Sequence, residues 1–247
     1  MTVSVAVSGA TGRLGELVCR VVDGLAGFEL VARLTSASSA QEGAEAAILF
    51  DVSHPEASPA IVERALRRGQ RVIVGTSGWS ADRLDVLRET LSSLPSTGVL
   101  VVPNFSLGSV VGTMLATIAA PYFDSIEIIE THHPRKVDSP SGTAVRTAEL
   151  IAAAKADSVP ASRVEAPFAE QPARGQLVAG VPVHSLRLAG VVAKQEVRFG
   201  GTGETLTVTH DTFSSESYVA GVRAALEAIE QVEGLVVGLE NVLGLKR

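Results

Sequence analysis

A doubly wound parallel α/β sheet followed by a smaller α+β section is the fold class this 247-residue chain predicts. Three observations predict it. Short apolar runs bounded by turn residues alternate with helix-spaced segments over the first hundred or so residues. A glycine-rich turn, Gly9-Ala-Thr-Gly12-Arg-Leu-Gly15, sits between the first run and the first helix-spaced segment. After about Asn104 the rhythm changes, and three alternating segments, with Gly200, Gly201 and Gly203 between the last two, suggest an antiparallel or mixed sheet.

Each element has its own signal. Val3 to Ser8 (VSVAVS) reads as a strand, and Glu16 to Val22 has helical spacing. Phe28 to Leu34 is a second strand. Ala46 to Ser53 (AAILFDVS) is a third, nearly continuous in apolar residues, as a strand covered on both faces should be. Pro59 to Arg68 spaces Ile61, Ala65 and Leu66 as a helix and is closed by Gly69. Arg71 to Thr76 is a fourth strand, Ala81 to Ser92 a helix, and Gly98 to Asn104 a fifth strand. Beyond the change of rhythm, Leu107 to Ala120 and Ala144 to Ala154 read as helices, and Ser125 to His133 as a strand ending in a basic cluster. Ala156 to Pro182 reads as loop. Val183 to Leu188, Lys194 to Phe199 and Thr205 to His210 read as strands, Tyr218 to Ile229 as a last helix and Leu235 to Leu239 as a last strand.

Composition narrows the function classes. The chain is 46% hydrophobic and 19% charged, an ordinary globular mix, and its 4% aromatic content leaves the core to aliphatic side chains. A net charge of −6 argues against a general nucleic-acid binder, which shows a basic face. The one cysteine, Cys19, excludes an internal disulfide and fits a reducing compartment. No apolar run reaches the roughly 18 residues of a membrane span, and Met1 leads straight into strand-like sequence without a basic leader. The expectation is a soluble cytoplasmic protein.

The glycine turn is a phosphate cradle. Glycines let the backbone turn tightly and approach a pyrophosphate, and the helix that follows presents open N–H groups to the anion. Its position after the first strand points to a Rossmann-like dinucleotide-binding domain. The spacing is G-x-x-G-x-x-G. The carboxylate that would bond an adenosine ribose is expected about 20 residues on. That region reads Arg33-Leu-Thr-Ser-Ala-Ser-Ser39 and holds no acid. A carboxylate repels a 2′-phosphate, whereas hydroxyls with Arg13 and Arg33 nearby accept one. NADPH is therefore expected over NADH.

Two dehydrogenase classes are tested directly. A Tyr-x-x-x-Lys pair is absent, because Tyr122 and Tyr218 are followed four positions on by Ile126 and Val222. A thiolate nucleophile would have to be Cys19, which lies within the first helix as a small core residue. The remaining chemistry lies in Thr131-His-His-Pro-Arg-Lys-Val-Asp-Ser-Pro-Ser-Gly-Thr143. His132 and His133 end a strand, Lys136 follows, and Ser141, Gly142 and Thr143 open a helix. Hydroxyls and N–H groups at a helix start, with Lys and His donors beside them, suit a small molecule carrying one or two carboxylates. Histidine also moves protons near neutral pH. No metal site is expected, since cysteine ligands are missing and His54, His184 and His210 are scattered.

Glu130-Thr-His-His-Pro-Arg-Lys-Val-Asp-Ser-Pro-Ser-Gly-Thr-Ala144 resembles the signature E-x-H-H-x-x-K-x-D-A-P-S-G-T-A of the 4-hydroxy-tetrahydrodipicolinate reductase family of lysine and diaminopimelate synthesis, in its short actinobacterial form. The resemblance extends over essentially the whole chain, through Gly9 to Gly15, Asp51 to Pro55, Gly75 to Gly78, Val102 to Phe105 and Val183 to Arg187. It implies that Gly9, Ala10, Thr11, Gly12, Arg13 and Leu14 hold the dinucleotide, with Arg13 near the adenosine phosphate. It implies that Gly75, Thr76, Ser77, Val102, Pro103, Asn104 and Phe105 line the nicotinamide side. His132 becomes the general acid/base and Lys136 the proton donor or charge stabiliser. His133, Ser141, Gly142 and Thr143 bind substrate carboxylates. The family delivers hydride to the ring as the hydroxyl leaves as water. It forms tetramers through its second-domain sheet, and its last helix and strand return to the nucleotide domain. The implied domains are 1–104 with 216–247, and 105–215.

The departures are mild at Ser139 (usually Ala), Ser77 (usually Thr) and Trp79 (commonly Phe). More consequential are Thr35, where an acid is usual, and Ser214-Ser-Glu-Ser217, which lacks an expected arginine. Two other readings stay open: a noncatalytic NAD(P)-binding regulator, and a reductase of a different small dicarboxylate.

Overall fold

The computed structural model describes residues 2–94, 97–156 and 172–245. They form two compact units, one running to Leu107 and resuming at Ser215, the other Gly108–Ser214. In chain order the elements are β1 (Val3–Ser8), α1 (Arg13–Gly24), β2 (Phe28–Leu34), β3 (Ile48–Asp51), α2 (Ser58–Arg67), β4 (Arg71–Val74), α3 (Ala81–Ser92) and β5 (Gly98–Val101). Then come α4 (Leu107–Ala119), β6 (Ser125–His132), α5 (Gly142–Ala156), β7 (Gln176–Val178), β8 (Val181–Arg187), β9 (Ala193–Gly201) and β10 (Glu204–Thr212). The chain ends with α6 (Val219–Ala228), β11 (Gly234–Val237) and α7 (Leu239–Val242).

In the first unit six parallel strands order as β11-β5-β4-β3-β1-β2. The nearly continuous apolar run called from sequence is β3, buried at all four positions, and β4 and β5 are similarly covered. β1 lies between β2 and β3, so successive crossovers leave it in opposite directions. That is the switch point at which open α/β sheets bind ligands beyond their strand ends. The β2-to-β3 connection contains turns and no helix, so strict alternation fails once.

In the second unit the order is β10-β9-β6-β8-β7, with only β6 and β8 parallel. The sheet is mixed and largely antiparallel, as the alternating segments indicated. β7 falls within the stretch read as loop; three residues are too few to show a period. Val181 and Pro182, the last two residues of that stretch, begin β8, and 157–171 lie outside the described residues.

One face of this sheet carries three parallel rows. Across the rows, Ile126, Ile128, Glu130 and His132 on β6 pair with Phe199, Val197, Gln195 and Ala193 on β9. Val183, Ser185 and Arg187 on β8 lie level with the last three β6 residues. The apolar ends of the rows pack with Ala144, Ala148, Ile151 and Ala154 of α5 in one core. The polar ends begin at the same level on all three strands. Period-two alternation thus carries a core face directly into a chemical one.

Ile128 has no exposed surface. Ile128→Ala is expected to cost about 2–5 kcal/mol through lost burial and a residual cavity, read as a lowered urea midpoint at unchanged slope; a loss under about 0.5 kcal/mol would contradict the packing.

Candidate active site

Strand β6 delivers the central groups. Glu130 has no exposed surface and His132 follows it on the same face. The Arg187 guanidinium meets the Glu130 carboxylate as a fork, with both N–O distances 3.0 Å. His132 Nδ1 lies 2.6 Å from Glu130 Oε2, and the Ser141 backbone N–H donates to Glu130 Oε1 at 3.2 Å. The Ser185 hydroxyl donates as well. Burial pushes the Glu130 carboxyl up, but Arg187, Ser185 and His132 together hold it below its ordinary value. An ionised carboxylate only accepts, so His132 Nδ1 carries a proton and Nε2 is the atom left for other partners.

Burial lowers the His132 pKa, against the raising influence of Glu130, and Lys136 and Arg187 lower it further. The imidazole is therefore neutral near pH 7. Lys136 donates to Asp138 at 2.8 Å, within its own loop. Burial works to raise the Asp138 pKa, and the hydrogen bond and charge of Lys136 outweigh it. Arg187 also donates to the Asp138 carbonyl at 2.7 Å, which joins the loop to the Glu130 cluster.

Ser141 is buried, and its hydroxyl accepts the Ala144 N–H at 3.2 Å as the helix cap of α5. Gly142 is exposed, and a Cβ there would meet nothing within 4 Å. His133 Nδ1 is buried without a hydrogen-bond partner. The second unit thus gathers His132, His133, Lys136, Ser141, Gly142 and Thr143 on the end of β6, the loop after it and the start of α5.

The remaining predicted residues lie in the first unit. Gly9 adopts φ +80°, and an added Cβ would stand 2.4 Å from the Val52 carbonyl oxygen. At Gly15 it would stand 2.1 Å from the Gly9 carbonyl oxygen. Gly12 is exposed and caps α1 without a side-chain hydrogen bond. Thr11 and Arg13 flank it, both exposed. A bare turn leading into a helix without a side-chain cap fits a coenzyme pyrophosphate. Ala10 and Leu14 are turned inward, buried and half-buried.

On the opposite side, Gly75 admits no side chain, since a Cβ would stand 2.6 Å from the Phe105 ring. The Thr76 hydroxyl is held inward by Asp51 at 2.9 Å. Ser77 and Pro103 are exposed. Val102 and Phe105 are core residues, and Asn104 closes a turn just before α4 by accepting the Ser106 N–H at 2.9 Å.

Sequence reasoning assigned no role to Glu130, Arg187, Asp138 or Asp51. Glu130 was findable as the residue two before His132 on a strand. Arg187 was not, because its place depends on the β6–β8 register. Arg33, expected near a coenzyme phosphate, instead pairs with Asp23 at 2.9 Å. Cys19 is buried, and burial pushes its thiol up, which removes it as a thiolate nucleophile.

A switch-point parallel sheet with a glycine cradle in one unit, and a histidine–lysine cluster in the other, are the parts of an α/β oxidoreductase. The family model for the N-terminus of dihydrodipicolinate reductase matches residues 3–105, and that for its C-terminus matches 108–243. A 4-hydroxy-tetrahydrodipicolinate reductase of Clavibacter michiganensis subsp. michiganensis is 49% identical over 99% of this chain and 87% of its own length. One from Streptomyces coelicolor is 45% identical over 98% of each chain. The solved dihydrodipicolinate reductase of Paenisporosarcina sp. TG-14, with dipicolinate bound, superposes with a TM-score of 0.81 at 30% identity, covering 98% of this chain and 99% of that one. The chain belongs to the dihydrodipicolinate reductase family and is an oxidoreductase that uses a nicotinamide coenzyme.

Acid should lower its stability over two successive pH windows. The lowered values of His132 and His210 mean that folding favours their neutral forms, so stability should begin to fall below the ordinary histidine value of 6.5. Glu130 and Asp138 have folded values below the ordinary 4.5 and 3.8, so their contribution is present above those values and lost as pH falls through them. Thermal melts from pH 8 to 3 check this; a Tm that rises between pH 6.5 and 5 would exclude the neutral-histidine account.

Proposed function

We propose that this chain reduces (2S,4S)-4-hydroxy-2,3,4,5-tetrahydrodipicolinate to tetrahydrodipicolinate, with loss of water, in lysine and diaminopimelate biosynthesis. The observation that carries the reading is the gathering of His132, Lys136 and the exposed, side-chain-free Gly142 on the end of β6, the loop after it and the start of α5. Near-identical function names in relatives of 45–49% identity support it.

A bound nicotinamide supplies the hydride. The residues of the chain supply the rest. His132 holds or delivers a proton at Nε2 because Glu130 occupies Nδ1. The Lys136 ammonium stabilises negative charge developing on the conjugated ring and can deliver a proton as the hydroxyl leaves. His133, Gly142 and Thr143 hold the carboxylates, and Ser141 contributes by capping the helix on which two of them sit.

NADPH is the preferred coenzyme in this reading. No acid stands at Thr35, and Arg13 is exposed at the start of α1. A cavity at the ends of β1 and β2 is lined by Thr35, Ser38, Ser39 and Glu42, by Arg64 of α2 and by Arg68 just after it. Arg68 is already engaged with the Ala40 carbonyl, so Arg64 rather than Arg33 joins Arg13 as the cation for a 2′-phosphate. A homotetramer in the cytoplasm completes the reading. The outward face of the mixed sheet supports it, with Leu177 and Leu186 exposed.

The test is a coupled assay in which a synthase makes the substrate in situ from pyruvate and aspartate semialdehyde, followed by loss of NADPH or NADH absorbance. Substrate-dependent oxidation is expected; none, from folded protein that binds coenzyme, would leave the regulator or another dicarboxylate. Lys136→Ala should lower kcat about 100-fold with little change in coenzyme affinity, and normal turnover would remove Lys136 from the chemistry. Arg13→Ala and Arg64→Ala should each raise the KM for NADPH about 10-fold and leave that for NADH unchanged. Equal losses for both coenzymes would remove them from the phosphate role.

A further inference from the structure

We propose that Glu130 and Arg187 are a positioning pair for the acid/base chemistry. Glu130 fixes the tautomer and ring orientation of His132, and Arg187 ties the Lys136 loop to the same carboxylate. The inference rests on the reading of His132 and Lys136 given above and goes beyond it, since neither Glu130 nor Arg187 need touch substrate.

Four contacts carry it. The Glu130 carboxylate reaches His132 Nδ1 at 2.6 Å, shorter than an ordinary neutral hydrogen bond between nitrogen and oxygen. It accepts the Arg187 fork through both oxygens and takes the Ser141 N–H at the start of α5. Arg187 spends a further donor on the Asp138 carbonyl, two residues past Lys136. Three parts of the candidate site therefore meet at one buried carboxylate: the proton carrier, the loop with the ammonium, and the helix start. The sheet enforces the arrangement. Glu130 and His132 share a face two residues apart, and register places Arg187 directly beside His132.

The charges decide what each member does. A lone buried carboxylate beside His132 would favour the imidazolium. Burial of the ring is the main influence that keeps it neutral near pH 7, and the charges of Lys136 and then Arg187 add to it, so the ring keeps its orienting partner without becoming an imidazolium. The groups facing His132 are Glu130 from its own strand, Arg187 from β8 and Lys136 from the following loop; the two cations oppose protonation.

Glu130→Gln tests the tautomer. A glutamine can accept from a protonated Nδ1 or donate to a bare one, so it removes the choice at nearly unchanged volume. In the full-length protein, nitrogen NMR of His132 is expected to show the proton on Nδ1 in the native chain and a mixture in the variant. With coenzyme and enzymatically generated substrate, kcat should fall about 100-fold while coenzyme KM stays within about 2-fold. The acidic limb of the rate profile should move to lower pH, because Glu130 raises and the remaining cations lower the histidine value. Arg187→Lys keeps a charge but cannot hold two carboxylate oxygens and a carbonyl together; a loss of kcat of at least about 10-fold is expected at unchanged coenzyme KM.

A native His132 protonated on Nε2 would overturn the proposal even if both variants failed to fold. So would either variant with native kcat and an unmoved pH limb. A native chain with the expected tautomer but no reductase activity would instead defeat the assignment of the reaction.

Discussion

The charged group that the second unit is built to accommodate is Glu130. An ionised carboxylate without solvent contact is costly unless donors surround it. Here the donors come from three places in the chain: His132 on β6 itself, Arg187 and Ser185 on β8, and the Ser141 backbone. Each is supplied by an element whose position the sheet register or the start of α5 sets. Such a pair is weak support for stability as such, since apolar replacements of equal volume are often tolerated. Removing one partner alone leaves a buried charge and costs roughly 3–5 kcal/mol. The arrangement therefore constrains geometry more than it adds stability, which is what an acid/base site requires.

The first unit contains a second buried acid with a parallel role. Asp51 ends β3 without exposed surface and takes hydroxyl donors from Ser53, Ser58 and Thr76. The Trp79 indole N–H donates to Ser58 in turn, at 3.1 Å. The network thus reaches the N-terminus of α2 and the Gly75–Gly78 segment. Trp79 contributes a donor that a phenylalanine there would lack. In both units an acid at a strand end gathers the loops beyond it; in one the counter-groups are hydroxyls, in the other a guanidinium and an imidazole.

How much of this was legible follows from where each signal resides. Strands β3 to β5 were legible because burial on both faces forces continuous apolar runs. Helix α3 was legible to the residue. β7 and α7 were not, since three and four residues show no period. The crossover from β2 to β3 carries no helix, in keeping with the sequence, which offers no helix-spaced segment between Leu34 and Ala46. The cluster from His132 to Thr143 is local in sequence, so its convergence could be read from the string. Arg187 is 57 positions from Glu130, and nothing in the string states that β6 and β8 are parallel neighbours in that register. Arg33 pairs with Asp23 of α1 at the surface, a contact that strand position alone does not state.

The apparent contradiction between an acidic chain and a basic knot dissolves on the same grounds. Net charge sums over a surface, whereas recognition depends on which charges are already matched. Within the knot, Lys136 is matched by Asp138, and Arg187, which register brings to it, by Glu130. The cationic groups are therefore fixed in direction before any ligand arrives, so little conformational entropy remains to be lost on binding. An acidic exterior keeps non-specific anions such as nucleic acid away, and a small dicarboxylate meets donors whose orientation the fold has already set.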